Sequence, residues 1–131
     1  GTLGKKLFLT VKALSNQNQL PKVKPNSKIK DVIIEISEKR LGFTAVIDNK
    51  KVIGVITDGD LRRMLSKTEN ISNLSAKDIM SRSPKTISAN AMAIEALQFM
   101  KANEISQLIV KDKNKYAGVI HIHDLIREGI I

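Results

Sequence analysis

The sequence predicts a mixed α+β fold built from two similar halves, each with the order strand, helix, strand, strand, helix. Two segments align without gaps at an offset of 64 residues from about Val23 to Arg63, which indicates a duplicated unit. Within each copy, a helical pattern of apolar residues precedes two short apolar runs joined by a polar turn. A unit of about 55 residues buries its sheet and helix faces poorly alone, so the copies are expected to pack as a pseudo-symmetric pair.

Each copy is expected to open with a short strand, at residues 22–24 and 86–88, followed by an amphipathic helix. Ser27 and Asn90 stand at the expected N-caps, because a short side-chain oxygen can accept hydrogen bonds from the first helical turn. Spacing of i, i+3, i+4 and i+7 defines one apolar face on each helix. The members of the two faces are Ile29, Val32, Ile33 and Ile36, then Ala93, Ala96, Leu97 and Met100.

Two hairpins and two short helices complete the copies. The first hairpin is expected from strands at 45–48 and 52–57, and the second from strands at 108–111 and 116–121. A short helix begins near Asp60 in the first copy and near Asp124 in the second. The expected division of the chain is a connector at 1–10, a first repeat at 11–66, a linker at 67–77 and a second repeat at 78–131.

Composition excludes several classes of protein. The chain of 131 residues has no Cys, which excludes disulfides, thiolate nucleophiles, zinc fingers and iron–sulfur clusters. Its apolar runs are far shorter than the roughly 20 residues that span a bilayer, and its start does not resemble a signal peptide. We therefore expect a cytoplasmic protein without a membrane partner.

The chain is basic, with 22 Lys and Arg against 13 Asp and Glu, and most of the excess precedes Leu65. A basic surface can bind nucleic acid. Proteins that bind single strands stack the bases on aromatic side chains, however, and this chain has one Tyr, three Phe and no Trp. We expect a solvated basic surface, or one that matches an acidic ligand, and no nucleic-acid partner.

The turn from Thr57 to Asp60 is the first candidate ligand site. It lies where a buried strand ends and a helix begins, so backbone N–H groups and the positive end of the helix dipole favour a phosphate. The Thr57 hydroxyl can donate to a phosphate oxygen, Asp58 lies beside it, and the Asp60 carboxylate can accept from both hydroxyls of a ribose. The alternative is structural, since Thr57 and Asp60 have the spacing of a capping pair.

In the second copy, His121 replaces the Thr while Asp124 is kept. His121 and His123 lie two residues apart, and with Asp124 they form a candidate set of contacts for an anionic ligand. Metal binding by the three residues is one alternative, although no further ligand can be identified and none is expected. Ordinary surface or interior histidines are the other alternative.

No catalytic group is expected in this chain. It has no Gly-x-Ser-x-Gly elbow, no Gly-x-x-x-x-Gly-Lys phosphate loop and no pair of carboxylates facing one substrate. Met92 and Met100 sit on or beside a helical apolar stripe, which favours core packing over a cofactor site. The sequence therefore predicts a binding module that requires no cofactor.

The repeated unit resembles a tandem pair of cystathionine-β-synthase (CBS) domains, also called a Bateman module, over about residues 11–129. The resemblance is carried by Gly-Val-Ile-Thr-Asp-Gly-Asp-Leu in the first copy and Gly-Val-Ile-His-Ile-His-Asp-Leu in the second. It implies clefts that bind adenosine or other nucleotides. By position, it places the phosphate contact on Thr57 and the ribose-binding carboxylates on Asp60 and Asp124. His121 departs from the Ser or Thr of that pattern.

Three runs also resemble the C-terminal part of bacterial D-arabinose 5-phosphate isomerases, at residues 1–7, 57–63 and 121–125. That family joins an N-terminal sugar-isomerase (SIS) domain to a CBS pair and converts D-ribulose 5-phosphate to D-arabinose 5-phosphate for Kdo and lipopolysaccharide synthesis. The resemblance implies a regulatory module whose partner is its own SIS domain. Candidate ligands are AMP, ATP, CMP and CMP-Kdo, the cytidine-linked form of the sugar.

The resemblance also implies a homodimer through the CBS helices, with a tetramer as a candidate assembly of the longer chain. A purely structural module that oligomerises its parent enzyme and binds no ligand is the alternative function.

Overall fold

The computed structural model describes Gly4 and residues 8–131, and the chain in it forms two compact units. We call residues 21–84 the Thr57 unit, and residues 85–131 with the described part of residues 1–20 the His121 unit. The run at residues 1–7, on which part of the resemblance depends, lies outside the described residues apart from Gly4. In the described part of the chain, no helix is long and apolar enough to cross a membrane.

The Thr57 unit contains a four-stranded sheet, three α-helices and a short 3-10 turn at Ile71–Asn73. Its elements are β1 (Lys22–Val23), α2 (Ile29–Lys39), β2 (Phe43–Asp48), β3 (Lys51–Thr57), α3 (Asp58–Lys67), α4 (Ala76–Ile79) and β4 (Ser81–Arg82). The strand order is β1-β2-β3-β4, with β1 parallel to β2 and the other pairs antiparallel.

The His121 unit has the same pattern of strand, helix, hairpin and helix around a three-stranded sheet of order β5-β6-β7. Its elements are α1 (Val11–Ser15), β5 (Thr86–Ser88), α5 (Ala93–Asn103), β6 (Gln107–Asp112), β7 (Lys115–His121) and α6 (Ile122–Arg127). Here too the first strand pair is parallel and the second is antiparallel. The predicted mixed α/β fold with two β-α-β-β-α copies is confirmed.

The apolar faces of the long helices are confirmed with one exception. All four predicted residues of α5 are buried, and Ile29, Val32 and Ile36 of α2 are buried as well. Ile33 is wrong as a core residue, because 37% of it is exposed. It lies at the edge of the buried stripe of α2. Leu97, the corresponding residue of α5, is covered by its unit and is only 5% exposed.

Both predicted N-caps are wrong by one or two residues. The N-cap of α2 is Lys28, and the Ser27 hydroxyl instead accepts from the Lys24 N–H at 2.9 Å and closes the preceding turn. The N-cap of α5 is Met92, where the Glu95 carboxylate accepts the Met92 N–H at 2.8 Å. Short polar side chains serve turns as well as caps, which is why their position alone misplaced the helix starts.

The two hairpins are longer than predicted and turn in two residues. Asp48 pairs with Lys51 in the first hairpin and Asp112 with Lys115 in the second. The two residues of each turn have positive φ angles, from 50 to 68°, as a type I′ turn requires. Each hairpin also has an irregularity in register after Val46 or Val110, so the duplication extends to details of backbone geometry.

Each unit contains a short helix outside its pattern of strand, helix, hairpin and helix. Val11 and Leu14 of α1 are buried in the apolar core of the His121 unit, next to residues that follow them by about 80 to 110 positions. In the Thr57 unit, α4 and its C-cap residue supply Ala76, Ile79 and Met80 to the core. The stretch expected as a linker at 67–77 therefore contains the 3-10 turn and the first residues of α4.

Candidate functional site

Thr57 and Asp60 form a capping box at the junction of β3 and α3. The Thr57 hydroxyl oxygen accepts from the Asp60 N–H at 3.2 Å, and the Asp60 carboxylate accepts from the Thr57 N–H at 2.9 Å. The structural interpretation of this pair is therefore confirmed. Such reciprocal bonds satisfy two N–H groups that the first turn of a helix leaves without partners.

The Asp60 side chain is buried, and both of its oxygens are hydrogen-bonded. Oδ2 also accepts from the Thr57 hydroxyl at 3.1 Å, while Oδ1 accepts from Arg63 at 2.6 Å and from the Ser81 hydroxyl at 3.0 Å. Burial on its own raises the pKa of Asp60, but the bonds from Thr57, Arg63 and Ser81 together lower it below its ordinary value. This carboxylate is held ionised by four donors.

The other predicted residues of this turn are more open. Asp58 is exposed at the first position of α3, and its N–H donates to the Gly42 carbonyl oxygen at 3.3 Å. Its carboxylate and that of Asp60 both lie in the first helical turn, where negative charge is favourable. The structure therefore brings Thr57, Asp58 and Asp60 together at one helix start.

The second copy repeats this arrangement around Asp124, which is 2% exposed. Its Oδ2 accepts from the His121 N–H at 2.8 Å and from Asn18 Nδ2 at 2.7 Å, and its Oδ1 accepts from Arg127 at 2.6 Å. The arginine thus lies three residues after the aspartate in both copies. Asn18, from the segment after α1, contributes a donor here as Ser81 does beside Asp60.

His121 and His123 are stacked at the start of α6. Their ring centroids are 4.5 Å apart with an angle of 14° between the planes, and His121 Nδ1 accepts from the His123 N–H at 3.1 Å. Burial lowers the pKa of His121, the charge of His123 lowers it further, and Asp124 opposes the shift. The neutral imidazole of His121 is therefore the form that caps this helix.

Within the described residues, no group of three or more His, Cys, Asp or Glu side chains is arranged to hold a metal ion. Both Asp124 oxygens already accept hydrogen bonds from nitrogen donors, which leaves them poorly placed as metal ligands. The three residues nevertheless lie together, as the sequence predicts.

A pocket of about 360 Å³ adjoins Asp60 in the Thr57 unit. Arg63 and Lys67 of α3 supply positive charge to its wall, while Met64 and Leu74 supply apolar surface. Asp78 also lines it, and hydrogen bonds from the Ser75 N–H and hydroxyl lower the pKa of that carboxyl. This combination suits a ligand with an anionic group and an apolar or polar ring.

The partners of the buried carboxylates of Asp60 and Asp124 were not predicted from the sequence. A recurring Asp-x-x-Arg spacing, at Asp60 and Arg63 and again at Asp124 and Arg127, is the signal that points to the arginines. Ser81 and Asn18 follow and precede their aspartates by 21 and 106 residues, so no local pattern identifies them.

The chain belongs to the CBS domain family. The family model, described as CBS domain, matches residues 11–67 and 76–130, which together make up most of the chain. The structure of another CBS domain superposes with a TM-score of 0.83 at 21% identity, covering 93% of this chain and 98% of that one. The two copies recognised from the repeat are therefore a tandem CBS pair.

The curated relatives are longer proteins. The chain is 34% identical over 133 residues to arabinose 5-phosphate isomerase KdsD of Yersinia pestis, covering 100% of this chain and 40% of that protein. It is 41% identical over 129 residues to the KdsD of Francisella tularensis subsp. tularensis, covering 97% and 39%. The chain thus spans about two fifths of the length of these relatives and is homologous to their CBS-containing part.

Several structural neighbours are named as complexes with AMP or ATP. The crystal structure of CBSX2 in complex with AMP matches with a TM-score of 0.75 at 25% identity, covering 93% of this chain and 96% of that chain.

Proposed function

We propose that this CBS pair is a regulatory module that binds a nucleotide or nucleotide sugar through Thr57, Asp58 and Asp60, with His121, His123 and Asp124 as the corresponding residues of the second copy. The observation that carries the proposal is the buried Asp60 carboxylate beside a pocket lined by Arg63 and Lys67. A carboxylate that accepts from hydroxyls, next to cations that pair with phosphate, suits a ribose phosphate.

Ligand binding at this site requires an exchange of hydrogen bonds at Asp60. Its Oδ1 accepts from Arg63, whose side chain is 64% exposed, so the guanidinium has room to turn outward when a ligand hydroxyl replaces it as the donor. When the guanidinium turns toward a phosphate, Oδ1 becomes available to a ribose hydroxyl. Arg63 then pairs with the phosphate of the ligand, and a ribose hydroxyl donates to Asp60 in its place. The buried Asp60 carboxylate therefore has hydrogen-bond donors with and without the ligand.

The comparisons support a nucleotide ligand and a longer parent enzyme. CBSX2, a protein of similar structure, is named as a complex with AMP, and the curated relatives are named arabinose 5-phosphate isomerase. We propose that the parent chain interconverts D-ribulose 5-phosphate and D-arabinose 5-phosphate for Kdo and lipopolysaccharide synthesis in an N-terminal SIS domain. Ligand binding here would change that activity through a coupling free energy of about 1–3 kcal/mol.

The test is thermal unfolding of this chain with AMP, ATP, CMP and CMP-Kdo. A ligand at 100 times its Kd stabilises the folded state by about 2.7 kcal/mol, which raises the Tm by several degrees. Asp60→Asn keeps the shape of the side chain and is expected to abolish the shift, while Asp31→Asn, on the exposed surface of α2, preserves it. Asp124→Asn is the equivalent test of the second copy. A shift that survives both substitutions, or no shift with any of the four ligands, rejects the proposed sites.

A structural module that dimerises through its helices is the second candidate, and exposed apolar residues favour it. Leu65 of α3 is 57% exposed and Ile126 of α6 is 51% exposed, and neither contributes to the core of its unit. Light scattering would show a dimer that Leu65→Lys or Ile126→Lys dissociates. A dimer that binds none of the nucleotides would favour assembly as the function of this chain.

A further inference from the structure

A second pocket of about 490 Å³ lies in the Thr57 unit, away from the site just described. It is formed by β1 and by the hairpin turn between β2 and β3. Thr57 ends β3 at the other end from this turn, roughly 20 Å away at 3.3 Å per residue. The two pockets therefore lie at opposite ends of the same strand.

Three lysines surround this pocket: Lys22, Lys24 and Lys50. Asp48 also lines it, which leaves a net charge of +2, and none of the three ammonium groups forms an ion pair with another described residue. The nearby Glu35 is already engaged, because its carboxylate accepts from the Lys22 N–H at 2.9 Å and lies 3.5 Å from Lys39 Nζ. The lysine charges are thus concentrated without being neutralised.

The second copy shows that the fold does not need these lysines. At the offset of 64 residues, Lys22, Lys24 and Lys50 are replaced by Thr86, Ser88 and Asn114. The strands there pair in the same way, and the turn has the same positive φ angles. Ile47 and Asn49 of the first pocket correspond to Lys111 and Lys113, while Val23 corresponds to Ile87. The second copy therefore keeps half of the apolar floor, and its lysines lie on the hairpin and not on the first strand.

We propose that this pocket binds a small organic phosphomonoester of the size of a sugar phosphate. A phosphomonoester carries a charge near −2 at neutral pH, which matches the net charge of the pocket, and lysines bind phosphate as point charges. Val23 and Ile47 give the ligand body an apolar floor, while Asp48 and Asn49 offer polar groups to hydroxyls. No aromatic residue lines the pocket among those that the structure describes, so it favours a sugar over a base that must stack.

The test is a titration of this chain with glucose 6-phosphate, with free glucose and inorganic phosphate as comparisons, followed by amide chemical shifts. Saturable shifts are expected at residues 22–24 and 47–50 with glucose 6-phosphate, weaker ones with inorganic phosphate and none with glucose. The triple variant Lys22→Thr, Lys24→Ser, Lys50→Asn carries the residues of the second copy and is expected to weaken binding by about tenfold.

The matched control removes three exposed lysines from the His121 unit, as Lys101→Thr, Lys113→Ser, Lys115→Asn. It changes the net charge equally and is expected to leave the affinity unaltered. Equal weakening in both triple variants would show unspecific attraction and overturn the proposal, as would the absence of saturation up to about 10 mM. Loss of binding in Asp60→Asn would assign the phosphate to the other pocket, whereas failure of every nucleotide to bind leaves this prediction standing.

Discussion

Asp60 and Asp124 are the two buried carboxylates among the described residues, and each accepts hydrogen bonds at the start of a helix. Each accepts the N–H of the residue that caps the helix, and each pairs with an arginine one turn later. In the structural interpretation, Oδ1 of each aspartate accepts from Arg63 or Arg127. In the ligand-binding interpretation, Oδ1 accepts from a hydroxyl of the ligand instead of the arginine.

Arg63→Met is expected to change the affinities for adenosine and AMP in opposite directions. Without the guanidinium, Oδ1 of Asp60 keeps only the Ser81 donor and accepts a ribose hydroxyl more readily, so adenosine binds more tightly. AMP loses a charged partner for its phosphate, and its affinity is expected to fall by up to about tenfold. Calorimetric titration of both ligands measures the ratio of the two affinities.

Arg62→Met provides the control for this change, since Arg62 is exposed on the same helix and lies one residue from Arg63. It removes the same charge, and the ratio of the two affinities is expected to stay near that of the unmodified chain. Parallel weakening of adenosine and AMP by Arg63→Met would contradict the exchange of hydrogen bonds at Asp60.

His121 is expected to make the His121 unit less stable in mild acid. Its pKa is lowered in the folded state, mainly by burial, so the unfolded chain binds more protons once the pH falls below about 6.5. Neutral His121 contributes its full share to the free energy of unfolding above that pH, and this share is lost as the pH falls below it. The loss occurs because a protonated Nδ1 cannot accept from the His123 N–H. Urea denaturation at about pH 7.5 and 5.5 measures the change in the free energy of unfolding.

His121→Thr, the residue of the first copy, is the matched variant because a hydroxyl caps a helix without titrating. Its free energy of unfolding is expected to change less between the two pH values than that of the unmodified chain. His123→Gln keeps His121 and separates the two rings' contributions. An identical pH dependence in His121→Thr would show that other groups cause the loss.

Local sequence was sufficient for residues whose role depends on near neighbours. The pairing of Thr57 with Asp60 follows from a spacing of three residues, and its repetition at His121 and Asp124 follows from the duplication. Ser81 and Asn18 could not be predicted, because they reach their carboxylates through the tertiary fold. The two capping pairs were therefore predicted from the sequence, and the distant partners of their carboxylates were not.

At the scale of elements, helices and strands were predicted well and their ends less well. Apolar periodicity located α2 and α5 because burial of one face stabilises most of a helix. It does not specify the first turn, where Ser27 closes a preceding turn instead of capping. The hairpin turns were predicted as three residues and have two, since Lys50 and Lys113 adopt positive φ angles that a lysine does not indicate.

Gly54→Ala is expected to destabilise the Thr57 unit more than Gly118→Ala destabilises the His121 unit. A Cβ at Gly54 would lie 2.6 Å from Met80 Sδ and 2.9 Å from the Ser81 carbonyl oxygen, which belongs to the paired strand β4. Since backbone cannot move aside cheaply, we expect a loss of about 1–3 kcal/mol. Urea denaturation of each variant measures the difference.

Gly118→Ala is the comparison because Gly118 holds the same place in the second hairpin. Its Cβ would lie 3.1 Å from Ser15 Oγ and 3.2 Å from Ser15 Cβ, contacts that a small shift of α1 relieves. A loss of about 1 kcal/mol or less is expected. Equal losses would mean that the close approach of β4 does not limit the size of residue 54.

At the scale of the whole molecule, the order of segments in the chain differs from their grouping in space. The helix α1 precedes the Thr57 unit in sequence but lies in the core of the His121 unit, and α4 lies in the Thr57 unit. Repeat alignment detects the duplication but not this grouping, because the two opening segments differ most between the copies. Their partners are revealed only by tertiary contacts.

Leu14→Ala is therefore expected to weaken the unit that is distant from it in sequence. Leu14 is 2% exposed in the core of the His121 unit, so its truncation costs about 2–5 kcal/mol and lowers hydrogen-exchange protection in β6 and β7 more than in β2 and β3. Ile79→Ala, in α4, is expected to show the opposite pattern, because Ile79 packs against the core of the Thr57 unit.

The exposed Lys12→Ala controls for changes on the surface of α1, and its effect on the free energy of unfolding is expected to stay within about 0.5 kcal/mol. Loss of protection in β2 and β3 on Leu14→Ala, or equal loss in both hairpins for both variants, would contradict the grouping of segments and indicate that the chain unfolds as one cooperative unit.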